Sequence, residues 1–240
     1  MLRSLNTLLG YTIHEKDGDM GHVHDFFFDD TAWTIRYLVV ETGGWLHRKR
    51  VLISTAALGH PDWARRRVPV NLTREQVRNS PDIDTDRPVY RQQEIAMSAY
   101  YGWPHYWTLE PILVAPAIVR QQEDAPQPSG NPHLRSLKEV TGYRVPGDDG
   151  DLGHIVDFIA EEQTWTIRYL VMETGAWLPG KKVLLPAESV TELSWPRKEV
   201  LSTARRDFIE SCPPFDPSEP VNREYEVRLY DYYGRPRDQN

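Results

Sequence analysis

The heptapeptide Trp-Thr-Ile-Arg-Tyr-Leu-Val occupies residues 33–39, and the same seven residues occur again at residues 165–171. A spacing of 132 residues separates the two copies. When this spacing is held without a gap, 28 of the 51 positions in residues 2–52 are identical to those in residues 134–184. Because an internal repeat determines the architecture of the whole chain, one duplicated unit is the basis of the expected fold.

The second half of each unit keeps the same spacing. A Tyr-Tyr-Gly run at residues 100–102 matches one at residues 232–234, and Pro81 matches Pro213. Each unit therefore extends over about 105 residues, which is the size of a domain. Units of this length predict two domains, since the repeats of a solenoid are shorter and more numerous.

Between the units lies a segment rich in proline. Five prolines fall within residues 111–133, as is typical of a linker that is partly extended. We expect a first unit at residues 1–110 and a second unit at residues 134–240. The expected parts, in chain order, are the first barrel (about 1–72), its helical extension (73–110), the linker (111–133), the second barrel (about 134–201) and its helical extension (202–240).

The first half of each unit is predicted to form β-strands. Residues 33–40 are rich in β-branched and aromatic side chains, which favour strands. The Asp-Gly pair at residues 17–18 and the Gly-Gly pair at 43–44 are typical of tight turns between short strands. Residues 22–28 do not alternate cleanly between polar and apolar side chains, so we expect a β-bulge near Asp25.

The second half of each unit is predicted to be helical. Thr73 and Gln76 fit a capping box, which marks the start of a short helix. A longer helix is expected over residues 91–101, with Gly102 as its C-terminal cap, and again over residues 223–233. The expected fold class is mainly β with short helices: two tandem small β-barrels, each with a helical C-terminal extension.

Part of each unit carries a pattern of turn glycines and strand residues that is typical of a known family. In the first unit these residues are Ser4, Leu5, Gly10, Asp17, Gly18, Gly21, Val23, Asp25, residues 37–40, Gly43, Gly44 and residues 51–53. The second unit repeats the pattern from Ser136 to Pro186. In these residues the chain resembles the PRC-barrel family, which is named for the cytoplasmic domain of the photosynthetic reaction-centre H subunit. The resemblance covers roughly residues 2–60 and 134–193.

This resemblance implies two tandem PRC-type barrels, each of six strands and loosely like an SH3 fold. It implies docking to other macromolecules, as in the H subunit and in a ribosome-maturation factor, and it brings no catalytic residues. Neither the membrane helix of the H subunit nor the partner domain of the ribosome factor is recognisable in this sequence, so neither specific role transfers. The chain looks like the bacterial PRC-barrel proteins that stand alone.

Charge argues against a nucleic acid as the main partner. The formal net charge is −7, whereas phosphate binding needs a positive surface. Residues 1–110 hold 13 basic and 14 acidic side chains, against 15 and 21 in residues 111–240, so any basic patch belongs to the first unit. The basic residues of interest there are Arg48, Lys49 and Arg50, and an RNA- or ribosome-associated factor is the alternative function that they would support.

The sequence points to a cytoplasmic protein without a membrane span. Cys212 is the one cysteine, so no internal disulfide can form, as is usual in a reducing compartment. Residues 1–10 lack the apolar core of a signal peptide. The longest apolar run, residues 112–119, has eight residues, against about 20 for a membrane-spanning helix.

No sequence motif assigns an enzymatic reaction, a cofactor or a metal. A glycine-rich phosphate loop, a Gly-x-Ser-x-Gly elbow and a His-Glu-x-x-His pair are all missing. His22 and His24 stand two residues apart, as two metal ligands could, but Val156 replaces His24 in the second unit. Cys212 corresponds to Ser80, so the units do not share a thiol nucleophile. We therefore expect no catalytic, cofactor-binding or metal-binding residues.

Aromatic side chains near the end of each unit form the expected interaction surface. Adjacent residues on a helix point about 100° apart, so both members of a tyrosine pair are buried only where the helix is gripped on two sides. We therefore expect the two units to associate as an intramolecular pseudo-dimer through these helices. The expected function is a soluble, non-catalytic interaction or assembly module that docks to a protein or a macromolecular complex. The aromatic residues are Tyr100, Tyr101, Trp103, Tyr232 and Tyr233.

Overall fold

The computed structural model describes residues 1–15, 18–42, 49–81, 91–104, 106, 134–148, 150–217 and 221–233. Arg48, the linker at residues 111–133, the Gly-Gly pair at 43–44 and Asp17 lie outside the described residues. The expectation of a mainly β fold is confirmed, because the described residues form two mixed sheets and a few short helices.

The strands are short apart from one long pair in each unit. Those of the first unit are β1 (Leu2–Ser4), β2 (Thr12–Glu15), β3 (Gly18–Asp29), β4 (Thr34–Thr42), β5 (Arg50–Ser54) and β6 (Arg67–Pro69). Those of the second unit are β7 (Leu134–Ser136), β8 (Arg144–Gly147), β9 (Gly150–Glu161), β10 (Ile167–Thr174), β11 (Lys182–Pro186), β12 (Val190–Ser194) and β13 (Glu199–Ser202).

The hydrogen-bonded strand order is β5-β4-β3-β2-β6 in the first sheet and β11-β10-β9-β8-β13-β12 in the second. The β2–β6 and β8–β13 pairs are parallel, and the other pairs are antiparallel, so both sheets are mixed. Among the described strands, the first and last strands of each order are not hydrogen-bonded to each other, so neither sheet closes.

The two units repeat the same elements at the spacing of 132 residues. Strands β2, β3 and β5 coincide with β8, β9 and β11 when that spacing is applied to their bounds. Strand β12 also has a counterpart, because the bridges Leu58–Val70 and Asp62–Arg67 correspond to its first and last pairs with β13.

The units exchange their first strands. β1 pairs antiparallel with β9 of the second unit, where Leu2 lies opposite Glu161. β7 pairs in the same way with β3 of the first unit, where Leu134 lies opposite Asp29. The first strand of each unit therefore belongs to the sheet of the other unit.

A second pair of hydrogen bonds joins the units where β4 and β10 begin. The amide of Ile167 donates to the carbonyl of Trp33 at 2.6 Å, and the amide of Ile35 donates to the carbonyl of Trp165 at 2.9 Å. Both tryptophans have positive φ angles, 49° and 58°. This backbone conformation is uncommon for a bulky side chain, and here it accompanies a carbonyl that is bonded to the other unit.

Gly21 allows β3 to lie close to β4. A Cβ atom at Gly21 would lie 2.2 Å from the carbonyl oxygen of Glu41, and Gly153 has the same relation to Glu173 at 2.1 Å. Each of these strands also shifts register two to four residues later. The bulge expected near Asp25 is confirmed, because the β3–β4 register shifts between Val23 and Asp25.

The helices follow the sequence expectations closely. They are α1 (Leu5–Leu8), α2 (Arg74–Arg78), α3 (Arg91–Tyr101), α4 (Leu137–Val140), α5 (Arg206–Ser211) and α6 (Arg223–Tyr233). The capping box of Thr73 and Gln76 is present. Gly102 ends α3 with a φ of 70°, a conformation that favours glycine. None of the described helices combines the length and the apolar character that crossing a membrane requires.

Strand β4 is buried on both faces. Leu38 and Val40 belong to a core that extends through both units. Tyr37 and Val39 belong to a second cluster with Met97 of α3. Because α3 covers the outer face of the sheet, both faces of β4 are apolar and the simple alternation of a half-buried strand is lost.

The expected contact between the units through α3 and α6 is corrected by these observations. The described contacts of α3 are with the first sheet, which includes Leu134 of the exchanged β7. In the second unit, Tyr233 donates to the carbonyl of Leu184 in β11 at 2.7 Å. Tyr232 and Tyr233 contact α5 and the second sheet, Tyr101 packs against the core and Tyr100 stays exposed, and the exchanged strands join the units.

Candidate functional site

Most of the aromatic residues expected at an interaction surface have structural roles. The rings of Tyr101 and Trp103 are stacked at 4.2 Å and are partly buried against the core. Burial raises the pKa of Tyr101 to about 12. Its phenol therefore stays protonated at neutral pH, and this pair serves to pack the end of α3.

Tyr232 and Tyr233 hold α6 against α5 in the second unit. The Tyr232 hydroxyl donates to the carbonyl of Phe208, and their rings lie 4.5 Å apart. Burial raises the pKa of Tyr233, which lies 3.9 Å from the sulfur of Cys212. Burial also raises the pKa of the Cys212 thiol, which is 1% exposed. Such a thiol is little ionised and is not suited to nucleophilic attack.

Tyr100 differs from the other expected aromatic residues because it is 40% exposed. It belongs to an exposed side of α3 on which the described side chains, those from residue 94 onwards, carry no charge, and we call this side the α3 face. Its residues are Ile95, Ala96, Ala99 and Tyr100. Ile95 is 45% exposed. The α3 face is therefore an uncharged, largely apolar surface on a helix.

The equivalent side of α6 is charged. At the spacing of 132 residues, Arg228 stands in place of Ala96 and Asp231 in place of Ala99, and both are exposed. Because the two helices occupy equivalent places in the two units, this difference is not imposed by the fold. It is a property of the α3 face itself.

A buried carboxylate fixes which side of α3 faces outwards. Glu94 is 1% exposed and accepts hydrogen bonds from the hydroxyls of Tyr37 at 3.2 Å and Tyr106 at 2.7 Å. The guanidinium of Arg36 lies over the ring of Tyr106 at 4.0 Å. Since a buried polar group needs hydrogen-bond partners, these contacts and buried Met97 hold the helix in one rotation.

The basic residues of the first unit lie next to local partners. Arg50 lies 4.0 Å from Glu41, and the Lys49 carbonyl accepts the hydroxyl of Thr42 at 2.7 Å. Arg65 pairs with Asp62 at 3.3 Å. Arg50 and Lys49 are half-buried, whereas the side chain of Arg65 is 76% exposed.

His24 lies at the contact between the units. Its ring is 3.3 Å from the Lys138 ammonium and 3.8 Å from Glu41. Burial, followed by the nearby Lys138 charge, lowers the pKa of His24 below its usual value of 6.5. Among the residues that the structure describes, no three His, Cys, Asp or Glu side chains are grouped so that they could hold a metal ion.

Two clefts between the units are a feature that the sequence did not predict. They form where the exchanged strands β1 and β7 meet the opposite sheet; Trp63 lines the first cleft, and its equivalent in the second unit is Trp195. The matching spacing of these tryptophans was visible in the sequence. Their surroundings were not, because half of each cleft comes from the other unit.

The sequence matches no family model, and comparison with curated proteins finds no match. The function of the chain is therefore inferred from its own residues. The α3 face and the clefts between the units are the two features whose exposure the fold leaves unexplained.

Proposed function

We propose that the chain is a non-catalytic interaction module that docks to a protein, alone or within a complex, through the α3 face. The observation that carries this proposal is the exposed, uncharged surface of Ile95, Ala96, Ala99 and Tyr100. Exposed apolar surface of this kind marks interaction sites. The charged equivalent positions in α6 support the proposal, because the same place in the fold tolerates Arg228 and Asp231.

The partner surface is expected to be apolar. An acidic or basic partner would have to bury a charge against the α3 face without a counter-ion, and this costs several kcal/mol. An apolar partner would instead remove Ile95 and the ring of Tyr100 from water, which contributes about 25 cal/mol per Å² of buried apolar area. The Tyr100 hydroxyl is already satisfied by the carbonyl of Gln76 at 3.0 Å.

We also propose that the two units are PRC-type barrels and that the protein acts in the cytoplasm. The glycines at Gly21 and Gly153, the bulge that follows them and the covering helix agree with a small curved sheet. The docking roles of that family agree with a module that has no reaction of its own. The single cysteine, Cys212, agrees with a reducing compartment.

The chain offers a matched test of the docking proposal. The double variant Ala96→Arg with Ala99→Asp gives α3 the two residues that α6 already carries, so we expect it to fold. The control variant, Arg228→Ala with Asp231→Ala, removes the same charges from α6. Proteins that bind the wild type and the control, but not the α3 variant, are then purified for direct binding measurements.

We expect the α3 variant to bind the purified partner with a Kd about 30-fold higher or more, which corresponds to about 2 kcal/mol of binding free energy. Equal binding to both variants would refute the role of the α3 face. Sedimentation shows whether the partner is a second copy of the chain, because the α3 variant would then be monomeric while the wild type is dimeric. Steep loss of binding with added salt would instead favour the RNA- or ribosome-associated alternative.

A further inference from the structure

The two clefts between the units are equivalent by sequence position. Each is lined by a basic residue of the exchanged strand and by an acidic residue that directly follows a strand of the receiving sheet, and a tryptophan of a turn stands at the equivalent position in each unit. The corresponding pairs are Arg3 and Arg135, Glu162 and Asp30, and Trp63 and Trp195.

Trp63 fills the first cleft. The guanidinium carbon of Arg3 lies 4.5 Å from the centroid of the indole ring. The indole N–H donates to a carboxylate oxygen of Glu162 at 3.0 Å, and the ring meets Tyr11 edge-on at 5.8 Å. The space left in this cleft is about 10 Å³, room for one water molecule at most.

The second cleft is open. Its volume is about 350 Å³, and it is lined by Asp30, Trp33, Arg135 and a segment of β12 that includes Glu192. Arg135 is bonded to Asp30 at 2.7 Å. Trp195 is not part of the lining and is 53% exposed. The basic and acidic groups that hold Trp63 in the first cleft are thus present here without the indole.

The turn that carries Trp195 differs from the turn that carries Trp63 at the residue that follows the tryptophan. Pro196 follows Trp195, whereas Ala64 follows Trp63, and proline restricts the backbone of the residue before it. Arg197 is bonded to Ser194 at 3.0 Å and to Glu192 at 3.3 Å, and the equivalent Arg65 pairs with Asp62 in the first unit, so this tie is common to both turns.

We propose that the open cleft binds a planar aromatic ring that carries an N–H or O–H donor, such as a tryptophan or tyrosine side chain of a partner. Arg135 offers its guanidinium to the face of such a ring as Arg3 does. Asp30 offers a carboxylate oxygen to the donor as Glu162 does. The volume of the cleft, about 350 Å³, lies at the small end of the range for ligand pockets, about 300–1,000 Å³, and leaves room for an aromatic side chain. This site is separate from the α3 face.

The probe for this site is N-acetyl-tryptophanamide, titrated into the full chain and followed by NMR shifts of the protein. We expect a Kd in the millimolar range, about 1 mM. N-acetyl-phenylalaninamide, a ring without a donor, should bind about tenfold more weakly. Indole alone is titrated in parallel. If N-acetyl-tryptophanamide binds more tightly than indole, the natural ligand is a side chain of a protein. If indole binds more tightly, the natural ligand is a free aromatic molecule.

Two variants and one control test the location. Arg135→Gln and Asp30→Asn should each weaken the tryptophan probe by about tenfold or more. Arg3→Gln changes the equivalent residue of the filled cleft and should leave the Kd unchanged. Urea denaturation shows whether each variant is folded. If Arg135→Gln is unstable, the test rests on Asp30→Asn, which preserves the shape of the side chain. Equal binding of both amides, or no effect of Asp30→Asn, would overturn the proposal.

Discussion

Two buried carboxylates hold the exchanged strands, and we predict that removing either one weakens the contact between the units. Asp157 accepts the hydroxyl of Ser4 at 2.5 Å and the amide of Asn6 at 3.1 Å, both from the first unit. Asp25 accepts Ser136 at 2.6 Å and the amide of Lys138 at 3.1 Å from the second unit. The two arrangements are equivalent at the spacing of 132 residues.

The expected cost follows from the bonds that the carboxylate makes. Asp157 is 7% exposed, and a hydrogen bond to a charged group contributes about 1.5–3 kcal/mol. Asp157→Ala removes two such bonds between the units. Asn6 is exposed, so in the variant a water molecule can accept the hydrogen bond that its amide gives to Asp157. We therefore expect a loss of about 2–4 kcal/mol in the free energy of unfolding, with a similar loss for Asp25→Ala.

The measurement is urea denaturation, with Asp207→Ala as the control. Asp207 also accepts the amide of the residue that follows it, at 2.9 Å, but its side chain is 74% exposed and its bond is local. Its loss should cost less than about 1 kcal/mol. Amide hydrogen exchange at Asn6 should become faster in Asp157→Ala alone. If Asp157→Ala costs no more than Asp207→Ala, these carboxylates do not hold the exchanged strands.

Three further predictions rest on the same fold. Gly21→Ala should prevent stable folding, because the new Cβ would lie 2.2 Å from a backbone oxygen. The control Gly10→Ala places its Cβ where no atom lies within 4 Å and should cost only about 1–2 kcal/mol of unfolding free energy, because of the positive φ. Equal urea midpoints for the two variants would contradict this. Because the pKa of His24 is lowered in the folded state, the unfolded chain takes up the proton first. Its contribution to stability is present above about pH 6.5 and is lost as pH falls towards the lowered pKa, so His24→Gln should show a flatter decline of the urea midpoint below pH 6.5. Residues 1–110 expressed alone should sediment as a dimer that exchanges β1 strands, since β3 would otherwise keep an unpaired edge; a monomer at high micromolar concentration would argue against this.

Local patterns predicted the elements of this fold well, because they depend on neighbouring residues. The bounds of α3 and α6, the capping box at Thr73 and the bulge near Asp25 all follow from short-range chemistry. The strand exchange could not be predicted in this way. β1 and β7 have the same sequence, Leu-Arg-Ser, so these two strands do not themselves distinguish a partner in their own unit from one in the other unit. The residues that they pair with do differ, Phe27, Phe28 and Asp29 in β3 against Ile159, Ala160 and Glu161 in β9, but short-range patterns do not show which set a strand will meet.

The candidate sites were hard to predict for a related reason. A tyrosine pair on a short helix indicates packing on two sides, and the sequence does not say whether the second side belongs to the same unit. The open cleft depends on residues more than 100 positions apart, such as Asp30 and Arg135. The only indication in the sequence was the spacing of Trp195 from Trp63, which predicts equivalent surroundings for the two tryptophans.

The pattern of divergence between α3 and α6 connects the fold to the proposed function. Four of the 11 positions are identical, and they include the buried Glu94 with its equivalent Glu226 and both members of each tyrosine pair. The changed positions include the outward pair Ala96 and Ala99. Several of the identical positions are held by packing, as Glu94 and Tyr101 are, whereas exposed positions are free to change with little effect on stability. Two units that share one core can therefore present different surfaces, and a partner that binds the α3 face would recognise one end of the molecule and not the other.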